Sequence, residues 1–256
     1  MIHLFITGRT DIGRVRQTNQ DTYICGHLSE TAVFAVVCDG MGGVAGGNVA
    51  STIAVKIIAD RIADGFRDGV SEGFLRNLLE SAVTAANVEI YDAAAADPEL
   101  SGMGTTAVAA ICSRGIVYLV HVGDSRAYII RLAKREMEQV TTDHSIVQAM
   151  VEKGELTLSE AKNHPRKHFI TRALGVEQQV ESDYINFALE DNTLLLLCTD
   201  GLTNMVESDD IKTMALTAAL DELADRLVAS ANMNGGSDNI TVVILGNTEE
   251  GVQKNG

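Results

Sequence analysis

Residues 33–47, VFAVVCDGMGGVAGG, join a short apolar run to an aspartate and a glycine-rich loop. The run is rich in β-branched residues, which favours a buried strand. Five of the eight residues after Asp39 are glycines, so this loop carries few side chains. Three interpretations compete: an ordinary turn, a nucleotide loop that cradles phosphates, and a metal site.

The composition indicates a folded chain with a sizeable core and an acidic surface. Of 256 residues, 46% are hydrophobic and 21% are charged, and the net charge is −15 from 35 acidic and 20 basic residues. Such a surface repels nucleic acid and anionic membranes. The densest basic stretches, GRVR at 13–16 and HPRKH at 164–168, are only a few residues long. We therefore expect neither nucleic-acid binding nor membrane insertion.

The first residues and the cysteines favour a cytoplasmic location. MIHLFITGRTDIGRVR lacks the features of a signal peptide, and no apolar run approaches the about 18 residues of a membrane helix. Cys25, Cys38, Cys112 and Cys198 form no CxxC pair, and the last three lie in or at the end of apolar runs, as reduced core cysteines do. We expect a soluble, reduced, monomeric protein of the cytoplasm.

Hydrophobic periodicity predicts the order of elements. Strands are expected near 32–38, 105–112, 116–122, 126–131, 193–198 and 239–245. Helices are expected at 47–66, at 71–95, as a pair within 208–232, and as a short helix after His144. Helix pairs between runs of strands do not alternate as in a doubly wound sheet. The pattern favours an α+β protein with an antiparallel sheet core and helices packed outside.

No linker divides the chain, so residues 1–246 are expected to form a single domain. The polar segment 145–170 is expected to form a small excursion over the main body. The last residues, 247–256, are expected to form a disordered tail.

Five aspartates occupy similar positions beside apolar strands: Asp21, Asp39, Asp124, Asp200 and Asp238. One such aspartate is a common turn residue, but strand ends converge in a compact sheet. Two unit charges about 4 Å apart repel by about 4 kcal/mol at an effective dielectric near 20. Oxygen ligands without His or Cys select Mg²⁺ or Mn²⁺. The small loop then lets a backbone carbonyl, such as that of Gly40, approach an ion.

The nucleotide-loop interpretation fits less well. GMGGVA at 40–45 matches G-x-G-x-x-A between a strand and a helix, but Asp39 would place a negative charge beside the diphosphate. Two predicted helices, not one, precede the next strand, and Asp60, at the distance of a ribose contact, lies within a helix pattern. The metal site is the better interpretation.

Eight motifs in order resemble the bacterial form of the protein phosphatase 2C type, a family of metal-dependent Ser/Thr phosphatases. They are GRVRQTNQD, VCDGMGG, MGTTAVAA, VGDSRAY, TDHS, HPRKHFITRALG, CTDGL and GGSDNITVVI, and they cover the chain from about residue 7 to 246. The resemblance implies a central antiparallel β-sandwich flanked by pairs of α-helices in α-β-β-α layers. It also implies a metal centre at one end, with 145–170 as a flap beside it.

The resemblance implies a ligand set for two Mn²⁺ or Mg²⁺ ions. Asp39 and a hydroxide would bridge the ions, and Asp200 and Asp238 would complete the shell of the first. The Gly40 carbonyl would bind the second ion, and Asp21 would act near it, partly through water. These roles agree with the metal site inferred from the aspartates.

Further roles follow from the same resemblance. Asp124 would hold a looser third ion, and Arg16 would grip the substrate phosphate, with Arg14 as its competitor. The catalytic residues would be Arg16, Asp39 and Asp200. The implied reaction is hydrolysis of phosphoserine and phosphothreonine on proteins, opposed by a Ser/Thr kinase.

The chain departs from the family pattern at two places. Gln20 stands where many members have Glu, which removes one carboxylate near the second ion. Met41 and Val44 stand in a loop where many relatives carry a histidine, a candidate general acid, so metal-bound water or a histidine elsewhere would donate the proton here. These departures keep open a second function, a weakly active or inactive module that binds metal and phosphoproteins.

Four other polar residues are assigned roles from their positions. His164 and His168, in the flap, are alternative proton donors or surface histidines. His121 lies in an apolar strand and is expected to be a structural histidine with satisfied hydrogen bonds. Asp143 either supports Asp124 or caps the helix after it, and the cap is the preferred interpretation.

Overall fold

The computed structural model describes residues 4–43 and 46–247. Its strands are β1 (Leu4–Asp11), β2 (Asp21–Ser29), β3 (Ala32–Met41), β4 (Gly104–Thr105), β5 (Ala107–Ser113), β6 (Ile116–Val122), β7 (Arg126–Arg131), β8 (Glu136–Gln139), β9 (Asp183–Ala188), β10 (Thr193–Cys198) and β11 (Ile240–Asn247). Its helices are α1 (Gly46–Gly65), α2 (Glu72–Ala96), α3 (Ile146–Glu152), α4 (Leu158–Lys162), α5 (Asp200–Thr203), α6 (Ser208–Thr217) and α7 (Leu220–Met233).

The strands form two antiparallel sheets. One has the order β1-β11-β10-β7-β8, and the other has the order β2-β3-β5-β6-β9, with β4 beside the end of β3. Residues Ala32 to Cys38 of β3 are buried on both faces, as a continuous apolar run requires. Val33, Ala35 and Val37 face the other sheet, and the alternate residues face α1 and α2.

The helices cover the outer faces of the two sheets. Apolar residues of α1 and α2, including Ile58 and Leu79, pack on β3, β5 and β6. Residues of α6 and α7, including Ile211 and Leu227, pack on β7, β10 and β11. A third cluster fills the space between the sheets. The predicted α-β-β-α layers are therefore confirmed.

The observed strands and helices can be compared with those predicted from the sequence. The predicted strands and helices are all present, but β1, β2, β8 and β9 were not predicted. These strands have half-exposed or mixed faces, so hydrophobic runs do not reveal them. Asn247 ends β11, and the rest of the predicted tail lies outside the described residues. Within the described parts of the chain, no helix is both long and apolar enough to cross a bilayer.

The antiparallel order brings the five aspartates to one end of the sandwich. Asp21 opens β2 directly opposite Asp39 near the end of β3. Asp124 lies in the turn between β6 and β7, and Asp200 follows β10. Asp238 comes just before β11, whose start lies beside the end of β10.

Segment 145–170 leaves the sandwich and returns to its starting point. Ser145 and Ile170 pair in an isolated bridge, and the Ile146 N–H donates to the Phe169 carbonyl at 2.9 Å. Ser145, not Asp143, caps α3 by accepting from the Gln148 N–H. The preferred interpretation of Asp143 as the cap was therefore wrong.

Candidate active site

A cleft of about 650 Å³ lies at this end of the sandwich. Four of the five aspartates line it, namely Asp39, Asp124, Asp200 and Asp238. The other lining residues are Arg16, Gln20, Gly40, Met41, Gly42, Gly43, Thr106, His168, Ile170, Ser237 and Asn239. Of the residues predicted to bind metal, only Asp21 is absent from the lining.

The converging carboxylates disturb each other's ionisation. Burial, and then the charges of Asp21, Asp200, Asp124 and Asp238, raise the pKa of Asp39 well above its usual range. Burial, and then the charge of Asp200, raise the pKa of Asp124 to about 7. Such a cluster is stable at neutral pH only if it holds protons or cations.

Asp21 lies beneath the cleft floor, next to Asp39. Its Oδ2 accepts from the hydroxyl groups of Thr199 at 2.8 Å and Thr241 at 2.7 Å. Its Oδ1 is buried and has no hydrogen-bond partner among the described residues. Burial raises the pKa of Asp21 to about 7, although the two hydroxyl groups lower it. A carboxylate oxygen left without a partner beside this cluster fits a cation or its water.

The backbone of Gly40 lies so close to the backbones of Gln20 and Gly47 that no residue with a side chain would fit at this position. Its N–H donates to the Gln20 carbonyl at 3.1 Å. A Cβ at Gly40 would collide with the Gly47 carbonyl and lie 2.6 Å from the Gln20 carbonyl oxygen. The Gln20 amide donates to the Gly43 carbonyl at 2.9 Å. Gln20 therefore holds the glycine loop in this chain, a role that its position in the sequence did not reveal.

The donor set fits hard divalent cations. The cleft is lined by four aspartates and by Gly40, and carboxylate and carbonyl oxygens are the ligands that Mg²⁺ and Mn²⁺ prefer. The unpartnered Oδ1 of Asp21 and the four aspartates of the lining supply oxygen atoms whose mutual repulsion a bound cation would relieve.

A chain of hydroxyl groups, missed in the sequence, links Asp39 to the turn of Asp124. The Asp39 N–H donates to Thr106 Oγ1 at 3.0 Å, and the Thr106 N–H donates to the Asp39 carbonyl at 2.9 Å. Thr106 Oγ1 lies 2.7 Å from Ser125 Oγ. Both residues are buried, so they tie the backbone of Asp39 to the turn that carries Asp124. The MGTTA and GDS motifs contained these residues without revealing their contact.

Arg16 is the arginine that reaches the cleft. Its Nη2 donates to Asp238 Oδ2 at 2.8 Å, and its side chain is half exposed. The nearby Arg14 is not part of the lining, and its backbone N–H donates to the Gly236 carbonyl at 2.7 Å. Of the two arginines, Arg16 is therefore the one that lines the cleft.

His168 is the flap histidine at the cleft. Its Nδ1 lies 3.8 Å from Asp200 Oδ2, too far for a hydrogen bond, and the nearby carboxylate of Asp200 raises the pKa of His168. His164 lies outside the lining, and its Nδ1 accepts from the Arg166 N–H at 3.2 Å. Of the two histidines, only His168 is placed to act on a bound substrate.

His144 clamps the turn that carries Asp124, a role that the sequence did not indicate. The backbone N–H of His144 donates to the Gly123 carbonyl at 2.8 Å, and its ring Nδ1 accepts from the Gly123 backbone N–H at 3.1 Å. Asp143, beside it, binds Arg126 through two carboxylate oxygens. Arg126 is the first residue of β7 and directly follows the turn of Asp124. The ion pair with Asp143 therefore stabilises this turn.

Behind this turn, His121, His144 and Asp183 place ligand atoms within 4.8 Å of one another. His144 accepts through Nδ1, so its proton is on Nε2, which faces Asp183 Oδ2 at 3.3 Å. His144 thus has no free lone pair for a metal ion. His121 is fully buried, and neither ring nitrogen has a partner among the described residues. The expectation of satisfied hydrogen bonds was therefore wrong.

Comparisons with known proteins agree with this geometry. The protein phosphatase 2C family model matches residues 8–238. The serine/threonine phosphatase stp of Listeria innocua is 39% identical over 238 residues, which cover 93% of each chain.

Solved structures are also similar. The serine/threonine phosphatase PstP/Ppp of Mycobacterium tuberculosis has a TM-score of 0.86 and 34% identity, covering 97% of this chain and 100% of that one. The catalytic domain of the phosphatase PstP in complex with two manganese ions has a TM-score of 0.85 and 33% identity, with the same coverage. The fold, the cleft carboxylates and these matches together show that the chain belongs to the protein phosphatase 2C family.

Proposed function

We propose that the chain hydrolyses phosphoserine and phosphothreonine on proteins and depends on Mn²⁺ or Mg²⁺. One observation carries the proposal: four carboxylates and Arg16 line a single cleft at the end of the sandwich. The relative from Listeria innocua is named a serine/threonine phosphatase, and the PstP catalytic domain binds two manganese ions. The alternative of an inactive module has no support in the described cleft.

The residues of the cleft divide into ion-holding and substrate-holding groups. Asp39, Asp200, Asp238 and the Gly40 carbonyl would hold two ions, with Asp21 beneath them. When bound, the ions would supply a water molecule of lowered pKa and neutralise charge on the phosphoryl oxygens. In this proposal no protein side chain acts as the nucleophile.

Asp124 and Arg16 complete the proposed site. Asp124, in the turn clamped by His144, would hold a third, looser ion. The Arg16 guanidinium would hold the phosphate, because its planar fork matches two phosphate oxygens. Asp238 keeps the guanidinium at the cleft.

We further propose that residues 1–246 act as one phosphatase domain in the cytoplasm, as a monomer opposed by a Ser/Thr kinase. The family model spans the proposed site residues from Arg16 to Asp238, which supports the single unit. The buried thiols of Cys38, Cys112 and Cys198 suit a reducing compartment. Phosphoserine and phosphothreonine exist only where a kinase has made them, which supports the opposing enzyme.

The test is phosphate release from a phosphothreonine peptide, with Mn²⁺ and then with excess EDTA. We expect turnover that EDTA abolishes and that Asp200→Asn lowers by at least about a hundredfold. Asp210→Asn, an equal charge change at an exposed residue of α6, is the matched control and should remain active. Tight Mn²⁺ binding without phosphate release would instead support the regulatory module.

A further inference from the structure

A second pocket, of about 430 Å³, adjoins the active-site cleft. Met41 and Ile170 line both cavities, so the two cavities share a wall. The rest of the second pocket comes mainly from 171–181, the segment between the flap and β9. A polypeptide in the active-site cleft would therefore pass close to this pocket.

The wall of the second pocket is held firmly by the body of the protein. Asn87 of α2 is buried, donates to the carbonyls of Glu177 and Gln178, and accepts from the Gly175 N–H at 2.8 Å. Leu174 and Thr105 exchange two backbone hydrogen bonds of 2.8 and 3.1 Å. A pocket built in this way is preformed, so a ligand does not have to order it.

Apolar side chains form much of the pocket surface. Met41, Ile170, Val176 and Val180 line it, and Val176 is 49% exposed. Burying such a surface under a ligand is favourable at about 25 cal/mol per Å². The pocket therefore suits an aliphatic chain.

The charges around the pocket are mainly negative. Glu177 and Glu181 are exposed residues of its lining. The one cation of the lining, Arg172, donates to Asp183 Oδ1 at 2.9 Å and lies 3.9 Å from Glu181 Oε2. Arg172 is thus paired mainly with Asp183. The carboxylates of Glu177 and Glu181 therefore leave the pocket with a net negative charge that a cationic ligand can meet.

We propose that the second pocket binds a lysine or arginine of the substrate protein, close in sequence to the phosphorylated residue. The inference rests on the proposed phosphatase function. A long basic side chain joins an aliphatic stem to a cationic head. The stem packs on Met41 and Val176, while the head approaches Glu177 and Glu181.

Other substrate residues fit this surface less well. An acidic side chain would meet the carboxylates of Glu177 and Glu181, and a purely apolar one would leave them without a cation. A peptide advances about 3.3–3.6 Å per residue, so a pocket that shares a wall with the cleft is reached within a few residues of the phosphate.

The test uses phosphothreonine peptides that differ at one flanking position, which carries Lys, Ala or Glu. The readout is the ratio of kcat/KM for the Lys peptide to that for the Ala peptide, with Mn²⁺. A ratio cancels any general loss of active enzyme. We expect a ratio of about three to ten at one or two positions, a ratio below one for Glu, and a smaller preference at high salt.

Variants of the pocket test whether the preference for the Lys peptide arises from the second pocket. Glu181→Lys should bring the ratio for the Lys peptide to one or below, and Glu181→Gln should lower it part of the way. Glu30→Lys is the matched control, because Glu30 is exposed at the opposite end of the hairpin of β2 and β3 from Asp21 and Asp39. It should keep the wild-type ratio.

Three results would overturn the inference: equal hydrolysis of all peptides by the wild type, a preference for Glu, or equal loss of the ratio in Glu30→Lys and Glu181→Lys. In all three the proposed phosphatase function would stand. If the wild type released phosphate neither from any peptide nor from p-nitrophenyl phosphate, which has no flanking residues, both proposals would fail.

Discussion

Arg16 and Asp238 form an ion pair at the active-site cleft, with 2.8 Å between Nη2 and Oδ2. Both side chains are partly exposed, 50% for Arg16 and 29% for Asp238, so the pair contributes at most about 1 kcal/mol. A weak pair can give way to a phosphate dianion. The contact thus places the proposed phosphate clamp beside a proposed metal ligand.

Arg16→Ala should raise KM for a phosphothreonine peptide by about 10- to 100-fold. A charged hydrogen-bond group contributes about 1.5–3 kcal/mol, and 1.4 kcal/mol is a factor of ten. Arg14→Ala should leave KM close to the wild-type value, since Arg14 does not line the cleft. Steady-state kinetics decide between them, and a larger defect in Arg14→Ala would show that the clamp is misassigned.

Gly40→Ala should lower the free energy of unfolding by more than about 2 kcal/mol. The added Cβ would meet the backbone carbonyls of Gly47 and Gln20, which cannot move aside cheaply. Gly73→Ala is the control, because Gly73 lies in α2 with open space around its Cβ position, and it should stabilise by up to about 1 kcal/mol. Urea denaturation of both variants measures the difference. Equal stabilities would show that the close approach at Gly40 is not required.

With EDTA present, the protein should lose stability as the pH rises from about 4 to about 7. The folded-state pKa of Asp21 and of Asp124 is about 7, above the usual 3.8 of an aspartate, so the folded state binds more protons than the unfolded state within this window. The extra protons stabilise the fold at the acidic side and are lost as the pH approaches 7. Melting temperatures at a series of pH values report the trend.

Mn²⁺ should reverse this trend, because cations replace the protons among the carboxylates. Asp124→Asn removes one of the repelling charges and should raise the melting temperature in EDTA by about 2–4 °C per kcal/mol of relief near pH 7. Burial lowers the pKa of His121 to about 4, which opposes the trend equally in both proteins. If the wild type and Asp124→Asn showed the same pH dependence in EDTA, the raised pKa of Asp124 would be contradicted.

The ion pair of Asp143 and Arg126 should contribute more than a helix cap does. Asp143→Asn is expected to destabilise the fold by about 1–3 kcal/mol, because it leaves a largely buried guanidinium poorly paired. Ser145→Ala, which removes the observed cap, should cost about 1 kcal/mol. A double-mutant cycle with Arg126→Met measures the coupling. A coupling energy near zero would show that the ion pair does not stabilise the turn of Asp124.

The apolar patterns predicted an antiparallel sheet core with helices packed outside, whereas the four α-β-β-α layers came from the family resemblance. The run of β3 is buried on both faces, and α1 and α2 show clear helical spacing, so local patterns and the final packing agree. The motifs then resembled one family over nearly the whole chain, and the family prediction is confirmed by its model over residues 8–238. The aspartates could be grouped in advance because antiparallel neighbours bring strand ends together.

Other features depend on contacts between distant residues, which no local pattern records. His144 meets Gly123, and Asp143 meets Arg126, only after β6 and β7 turn between the sheets. In the sequence, Gln20 stood out only because many family members have Glu at this position. In the structure its side-chain amide donates to the Gly43 carbonyl. The expectation that His121 would be satisfied came from the average behaviour of buried histidines, and this one is an exception. The assignment of metal ligands stays a prediction.

The most direct test of that prediction is a calorimetric titration of Mn²⁺ into the wild type and Asp39→Asn, with phosphate release measured on the same samples. Asp39 lies at the centre of the cluster, with its pKa raised by burial and by the charges of four other aspartates. We expect at least two ions per wild-type chain, turnover that follows their binding, and loss of both in Asp39→Asn. Turnover that persists in Asp39→Asn or in excess EDTA would contradict a metal centre built on these carboxylates.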